Sequence, residues 1–313
     1  MTPTGFVLLD KIAGETSFKA LFPLKRVFST KRVGHAGTLD LRASGLIVAA
    51  IGRATRLLPF VEAKDKCYTF RLHLGYETDT LEWDGDVVAQ DEKNDSPTSF
   101  STEGRESIQP VLSLESILPQ FIGDIDQIPP RYCAVKIDGR RASDLAERGR
   151  EFELKPRRIH IESLKIVGEG GVTEGCSGKC FATFDLECVC SKGTYIRSLG
   201  RDLARVLGTY GCVSQIRRHR IGNITLDGAV KGENLTVENL VPVDKVIDYP
   251  VIRLAEDGLA VIRRGNWLPW KNNVEGVGPE GYVFAANESG DVLALCRFEP
   301  GRICPKYFLG GDE

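Results

Sequence analysis

The sequence predicts an α+β protein built on a mixed, largely antiparallel sheet, with a small, mostly β module at its C-terminal end. Three observations carry that expectation. Tyr68-Thr69-Phe70-Arg71-Leu72-His73-Leu74 alternates apolar and polar residues with period two, the mark of a half-buried strand. Strand-like and helix-like stretches intermix over residues 1–235 without regular βαβ units. Beyond Pro242, short apolar runs alternate with glycines such as Gly265, Gly281, Gly290 and Gly301, which suits a compact β module over 249–313. The stretch around Lys231 to Asp248 reads as the linker between the two.

Taken in order, Gly5-Phe6-Val7-Leu8-Leu9-Asp10 is a first strand, closed by a turn containing Gly14. Ser17 is placed to cap a helix whose Leu21, Leu24 and Phe28 share one face, and Pro23 should bend or shorten it. The apolar run Leu46 to Ile51 predicts a strand buried on both faces, and Ala54 to Phe60 a short helix. The stretch 90–106, rich in Asp, Ser, Thr and Glu, reads as an exposed insertion. Tyr132 to Ile137, Ile159 to Val167 and Phe181 to Cys190 read as strands, and Ala142 to Arg148 as a helix. A longer helix from about Thr194 carries Ile196, Leu199, Leu203 and Val206 at near-helical spacing.

At 313 residues the chain can bury one large core or two domains, and its composition is that of a soluble globular protein. It has no transmembrane-length apolar run and no signal peptide, so a cytoplasmic protein is expected. Among nine cysteines, the spacing of Cys176, Cys180, Cys188 and Cys190 is a poor zinc pattern. No metal is expected, and the strand cysteines read as small buried hydrophobes in a reducing compartment.

The formal net charge of −2 hides a segregation. Lys25 to Arg56 and Lys192 to Arg220 each hold seven Lys/Arg against one acid, whereas Glu77 to Asp126 holds thirteen acids against two cations. Two basic blocks separated by an acidic one suit either a basic face for an anionic polymer or ordinary solvated charge.

Gly34-His35-Ala36-Gly37-Thr38-Leu39-Asp40 places one carboxylate in a glycine-punctuated loop ahead of the buried run. Such a loop is a common seat for a catalytic group, though most loop aspartates only cap a turn. Arg197 lies near a helix start, where the macrodipole disfavours a cation. It either faces solvent or clamps an anion through parallel hydrogen bonds. Tyr195 would present its ring in the same corner. Tyr68 is either a core aromatic or a ring stacked on a nucleobase. His35 is a turn residue, an acid/base group or an RNA contact. Ile216-Arg217-Arg218-His219-Arg220 fits a phosphate-binding edge or a solvated basic run.

The chain resembles the TruB family, the bacterial tRNA pseudouridine-55 synthases, through six blocks in order over nearly its whole length. They are GFVLLDKIAGETSF, GHAGTLDLRASGLIVAAIGRATR, KCYTFRLHLGYETDTLEWDGDV, PPRYCAVKIDGRRASDLAERGREFELKPR, SKGTYIRSLGRDLARVLG and IRRHRIGNITLDGAV. The resemblance implies the pseudouridine synthase fold and a C-terminal PUA-type RNA-binding domain. It puts Asp40 on the catalytic aspartate and His35 on the substrate-contacting histidine. Tyr68 falls on the tyrosine that stacks on the uracil, and Tyr195 and Arg197 on the active-site tyrosine and the arginine paired with the aspartate. Ile216 takes a pocket position where leucine is usual. Leu41-Arg42 stands where the family usually has Pro-Leu, Ile12 where it has proline, Cys67 a common arginine, and Glu82 an aspartate.

The implied activity is isomerisation of a T-loop uridine of tRNA, after flipping the base out of its stack. Asp40 would act as nucleophile or base, Arg197 would keep it ionised, and Ile216 would exclude water. Arg217, Arg218 and Lys192 are the candidate contacts to the RNA backbone. No cofactor is expected, and no guide RNA; the partner is the T stem-loop of tRNA, bound by a monomer. A tRNA-folding chaperone and a guide-dependent enzyme are the alternatives.

Overall fold

The computed structural model describes residues 3–91, 114–168, 170–174 and 180–310. It contains two compact units, Met1–Leu41 with Gly45–Lys64 and Ile221–Glu313, and Arg42–Ser44 with Asp65–Arg220. Most of the expected insertion, from residue 92 on, lies outside the described residues. No helix among those described is long and apolar enough to cross a membrane.

In the first unit the strand Gly5–Lys11 runs antiparallel to Ser44–Ile51, with Phe6 opposite Ala50 and Leu9 opposite Ile47. The short strand Val33–His35 also pairs with Ser44–Ile51. Every residue from Leu46 to Ile51 is buried, as an uninterrupted apolar run requires of a strand covered on both faces. The helix Phe22–Val27 buries Leu24, flanked by buried Leu21 and Phe28. The helix is shortened, as Pro23 led one to expect: Lys19–Leu21 is a 3-10 turn and the α-helix begins only at Phe22. The proline sits in the first turn, where its missing N–H has no intrahelical partner to lose. Ser17 is not its cap: Thr16 offers its hydroxyl oxygen to the Lys19 N–H at 3.1 Å, and Ser17 turns inward. The helix expected over Ala54 to Phe60 is a 3-10 turn, Gly52–Leu57, followed by one α-turn, Leu58–Glu62.

The stretch read as a linker is part of this unit's core. Phe6 and Val241 exchange backbone hydrogen bonds of 2.8 and 2.7 Å, and Val230 pairs with Leu8 and Asp10 at 3.0 Å. Val243, Val246 and Ile247 are buried in one apolar cluster with Phe6, Phe284 and Leu295. The C-terminal strands form a five-stranded sheet in the order Val251–Arg253, Tyr282–Ala286, Val292–Glu299, Arg302–Phe308, Leu268–Pro269. Its first pair is parallel and the others are antiparallel. The helix Glu256–Arg263 was not legible in the glycine-rich pattern. Two acids in its first turn suit the helix dipole, and Leu259 and Ile262 bury its one apolar stripe against Val283 and Cys296.

In the second unit the strand order is Gly211–Ile221, Lys66–Leu74, Cys180–Cys190, Arg157–Ile166, Gly123–Gln127. Antiparallel ladders place Tyr68 opposite Cys188 and Leu72 opposite Phe184. Tyr68, Phe70, Leu72 and Leu74 are buried as the alternation predicts. On the other face, Arg71 and Asp185 are direct cross-strand partners joined by two hydrogen bonds of 2.7 and 2.9 Å. Cys188 and Cys190 are buried, as expected of strand hydrophobes. The helix Ile196–Val206 buries Leu199 and Leu203 and leaves Val206 exposed. A Cβ at Gly200 would stand 2.3 Å from Val213 Cγ1, so only glycine permits this close approach of helix to sheet. The strand expected at Tyr132 to Ile137 shrinks to Lys136–Ile137, paired with Arg140–Arg141. Upstream, Pro129 and Pro130 have no N–H to give a ladder.

His73 departs from the alternation. It is buried, stacked on Trp83 with ring centroids 6.3 Å apart, and its Nε2 lies 2.7 Å from the Ser214 hydroxyl. Burial, aided by nearby Arg71, pushes its pKa down to about 4 from 6.5. Between those values the unfolded chain binds a proton that the folded chain refuses. Stability should therefore fall as pH drops through that window, by up to roughly 3 kcal/mol. Urea unfolding from neutral to mildly acidic pH should show this slope, and His73→Gln should flatten it relative to the parent.

Candidate active site

Asp40 lies half-buried in the loop between Val33–His35 and Ser44–Ile51. Both of its chain neighbours are clamped. The Ser17 hydroxyl accepts the Leu39 N–H at 2.9 Å and donates to the Leu39 carbonyl at 3.0 Å. On the other side, the Leu41 carbonyl accepts the Gly14 N–H at 2.8 Å and the Lys11 ammonium at 3.3 Å. Gly14 has φ +84°, a conformation that glycine adopts without strain, and this aims its N–H at Leu41. Lys11 is only 1% exposed, and its ammonium also donates to the Ile12 carbonyl at 3.0 Å. A buried ammonium is tolerable when carbonyl oxygens replace its water. The loop start is pinned as well, by the Ala36 N–H on the Val48 carbonyl at 2.9 Å.

These contacts explain why lysine, glycine and serine stand at 11, 14 and 17. They also bear on Leu41-Arg42. Two donors on its carbonyl hold Leu41 without a pyrrolidine ring, and the Arg42 guanidinium reaches Asp84 at 2.8 Å. That ion pair is partly exposed and contributes little to stability. His35 ends its strand half-buried, opposite Ala49.

The second unit carries the other candidates. Tyr68 is 9% exposed on the strand Lys66–Leu74. Tyr195 has an extended backbone and caps the helix Ile196–Val206. Burial first, then the neighbouring Cys133, raises the pKa of its hydroxyl. Arg197 is 6% exposed, which excludes the solvent-facing reading. Its guanidinium donates to the carbonyls of Thr80 at 2.9 Å and Tyr132 at 2.8 Å. These oxygens offset the cost of a cation near a helix N-terminus. Ile216 is buried, next to Gln215, whose φ of +53° marks a strained break in the strand.

One expectation is corrected. Arg218 is 1% exposed and so is not a phosphate contact on the surface. Arg217 is half-buried, with Nη1 3.4 Å from the Ser44 hydroxyl, and Lys192 is exposed in the turn before the helix. Sequence reading missed Lys11, Gly14 and Ser17 as clamps, although they stand in the first block at fixed offsets from Asp10. It also missed Gln127, which bonds to the Tyr195 backbone.

The fold defines the class. It is similar to that of a chain in an H/ACA RNP bound to a substrate RNA containing 2′-deoxyuridine, at TM-score 0.65 and 16% identity over 98% of this chain and 85% of that one. It is likewise similar to an archaeal box H/ACA sRNP Nop10–Cbf5 complex, at TM-score 0.64 and 18% identity over 98% and 86%. This is the pseudouridine synthase fold. Residues 25–196 match the model of the TruB family pseudouridylate synthase N-terminal domain. A tRNA pseudouridine synthase B of Bradyrhizobium diazoefficiens is 38% identical over 96% of this chain and 84% of its own length. One from Caulobacter vibrioides is 35% identical over 96% and 94%, and one from Borreliella burgdorferi 34% over 86% and 88%. The chain belongs to the TruB family.

Ser17→Ala leaves the buried N–H and carbonyl of Leu39 without this partner. It should lower unfolding stability by about 1–3 kcal/mol in urea melts. In single-turnover assays it should slow isomerisation by about tenfold or more while RNA affinity holds, since a displaced catalytic group costs rate before binding.

Proposed function

We propose that this chain converts a uridine in the T loop of tRNA, position 55, to pseudouridine, with Asp40 as the carboxylate that does the chemistry. The observation that carries the reading is the double clamp: Ser17 on Leu39, Gly14 and Lys11 on Leu41, and one acid between them. A fold that fixes both neighbours of a half-buried carboxylate holds it ready to react. That the relatives are called tRNA pseudouridine synthase B supports tRNA as the substrate.

The reaction cleaves the bond between uracil and ribose, turns the base and rejoins it through carbon-5. A stacked uridine hides both bonds, so the nucleotide is flipped out at a cost of a few kcal/mol, offset by basic contacts and stacking. In this reading Asp40 works on the flipped uridine, Tyr68 stacks on its uracil and Ile216 keeps water from the intermediate. His35, Tyr195 and Arg197 take the roles that the family motifs give them. Lys192 and Arg217 serve the RNA backbone. Residues 1–235 are assigned to catalysis, and 249–313 to a PUA-like contact with RNA. The enzyme acts as a cytoplasmic monomer on tRNA, with neither cofactor nor guide RNA.

Asp40→Asn should abolish tritium release from tRNA labelled at uridine carbon-5 while the dissociation constant for tRNA stays within a few-fold. Near-normal release by that variant would remove Asp40 from the mechanism. Absence of release by the parent chain would favour a tRNA-folding chaperone. Activity on a bare T-arm minihelix tests independence from guide RNA. Lys192→Ala should weaken binding of that minihelix and reduce the slope of log K against log salt by about one.

A further inference from the structure

The segment Gln127–Tyr132 contains Pro129 and Pro130, which have no N–H with which to join a sheet. It is held from the helix Ile196–Val206 instead. The Arg201 guanidinium donates to the Ile128 carbonyl at 2.9 Å, and Arg197 to the Tyr132 carbonyl at 2.8 Å. At the segment's head the direction of support reverses. Gln127, 2% exposed at the end of the strand Gly123–Gln127, reaches the backbone of Tyr195. Its Oε1 accepts the Tyr195 N–H at 2.8 Å, and its Nε2 donates to the Tyr195 carbonyl at 3.2 Å.

A primary amide carries one acceptor and a donor side by side, the same edge that a peptide presents in a strand. Gln127 thereby pairs with Tyr195 as one more strand residue would. The pairing fixes the peptide from which the Tyr195 ring projects, two residues ahead of Arg197. The two arginines grip carbonyls of the proline segment; the Tyr195 N–H is met by Gln127, and the Tyr195 carbonyl is shared between Gln127 and the Leu199 N–H at 3.0 Å. Tyr195 is also where the chain turns from extended to helical, so a rotation there would redirect the first helical turn.

We propose that Gln127 is a positioning residue for isomerisation, acting through the backbone of Tyr195. The proposal rests on the reading of this chain as a uridine isomerase. Glutamate is the informative replacement, because it has the same shape. An ionised Glu at 127 still accepts the Tyr195 N–H but turns a lone pair, not a donor, toward the Tyr195 carbonyl. A protonated one donates again. Burial raises a carboxyl pKa, whereas Arg157, opposite on the ladder, and Arg201, bonded to the next carbonyl, lower it, so a rate profile from pH 8 to pH 5 locates the protonation.

The test pairs single-turnover tritium release with amide exchange at Tyr195, on the full chain with a T-arm minihelix. Gln127→Glu should isomerise about tenfold or more slowly than the parent near pH 8, and recover to within about threefold as its carboxyl takes up a proton. Minihelix affinity should stay within about threefold throughout. Gln127→Leu should be slow at every pH, with the Tyr195 amide exchanging about tenfold faster and the Leu203 amide, in the middle of the helix, unchanged. Parent-like rates in both variants would overturn the proposal. So would a Tyr195 amide indifferent to Gln127→Leu. A parent chain that releases no tritium defeats the underlying reading instead, and the exchange result then decides alone whether Gln127 holds Tyr195.

Discussion

The serine hydroxyl at position 17 does what a neighbouring strand would do for the loop that carries Asp40. It takes the N–H of Leu39 and gives its own proton to the carbonyl of the same residue, at 2.9 and 3.0 Å. Each such bond is worth on the order of 1 kcal/mol net, and more than that is lost if a buried partner is stranded. The backbone on the far side of Asp40 is held as firmly, by Gly14 and the buried ammonium of Lys11 on Leu41. Between these fixed points the aspartate has little freedom beyond its own side-chain rotamers. The strand Ser44–Ile51, buried on both faces, supplies the floor on which the loop stands.

The same economy governs the second unit. A proline-interrupted segment cannot hold itself with ladder hydrogen bonds, and long side chains take over the task. Arg197, Arg201 and Gln127 secure it to one helix. That helix lies so close to the sheet that position 200 must be glycine. Arg197 therefore has a structural part regardless of any other it plays, because two carbonyl oxygens depend on its guanidinium. A change at 197 will read out as loosened loops whatever it does to the chemistry. The isosteric change at Gln127 is the more selective probe of this corner.

Much of the fold was legible because its signals are local. The alternation of Tyr68 to Leu74 and the run Leu46 to Ile51 both reflect burial of faces, and burial leaves a periodic trace. What escaped depends on partners distant in sequence. Ser17 has the residue type and spacing of a helix cap, yet its partner is Leu39, 22 positions on, a pairing that no local pattern encodes. His73 sits on the polar phase of its strand but is covered by Trp83 and Ser214. Arg218 stands in a basic run that looks solvated, but it is buried. The linker-like stretch from Lys231 to Asp248 lacks period, yet it gives Val241 to the first strand. At the candidate site the motifs marked the residues proposed to meet the substrate. They did not show which residues hold the proposed site in place, since a clamp is a relation between two blocks.

The central claim is that a carboxylate held between two clamped residues is what meets the uridine. A crystal structure of the chain with a T-arm RNA carrying an uncleavable analogue at the target uridine tests it most directly. The Asp40 carboxylate should stand within about 3–3.5 Å of the ribose or base of the flipped nucleotide. The hydrogen bonds of Ser17 to Leu39, and of Gly14 and Lys11 to Leu41, should persist unchanged. A flipped nucleotide seated away from Asp40, or a loop that abandons those bonds when RNA binds, would contradict it.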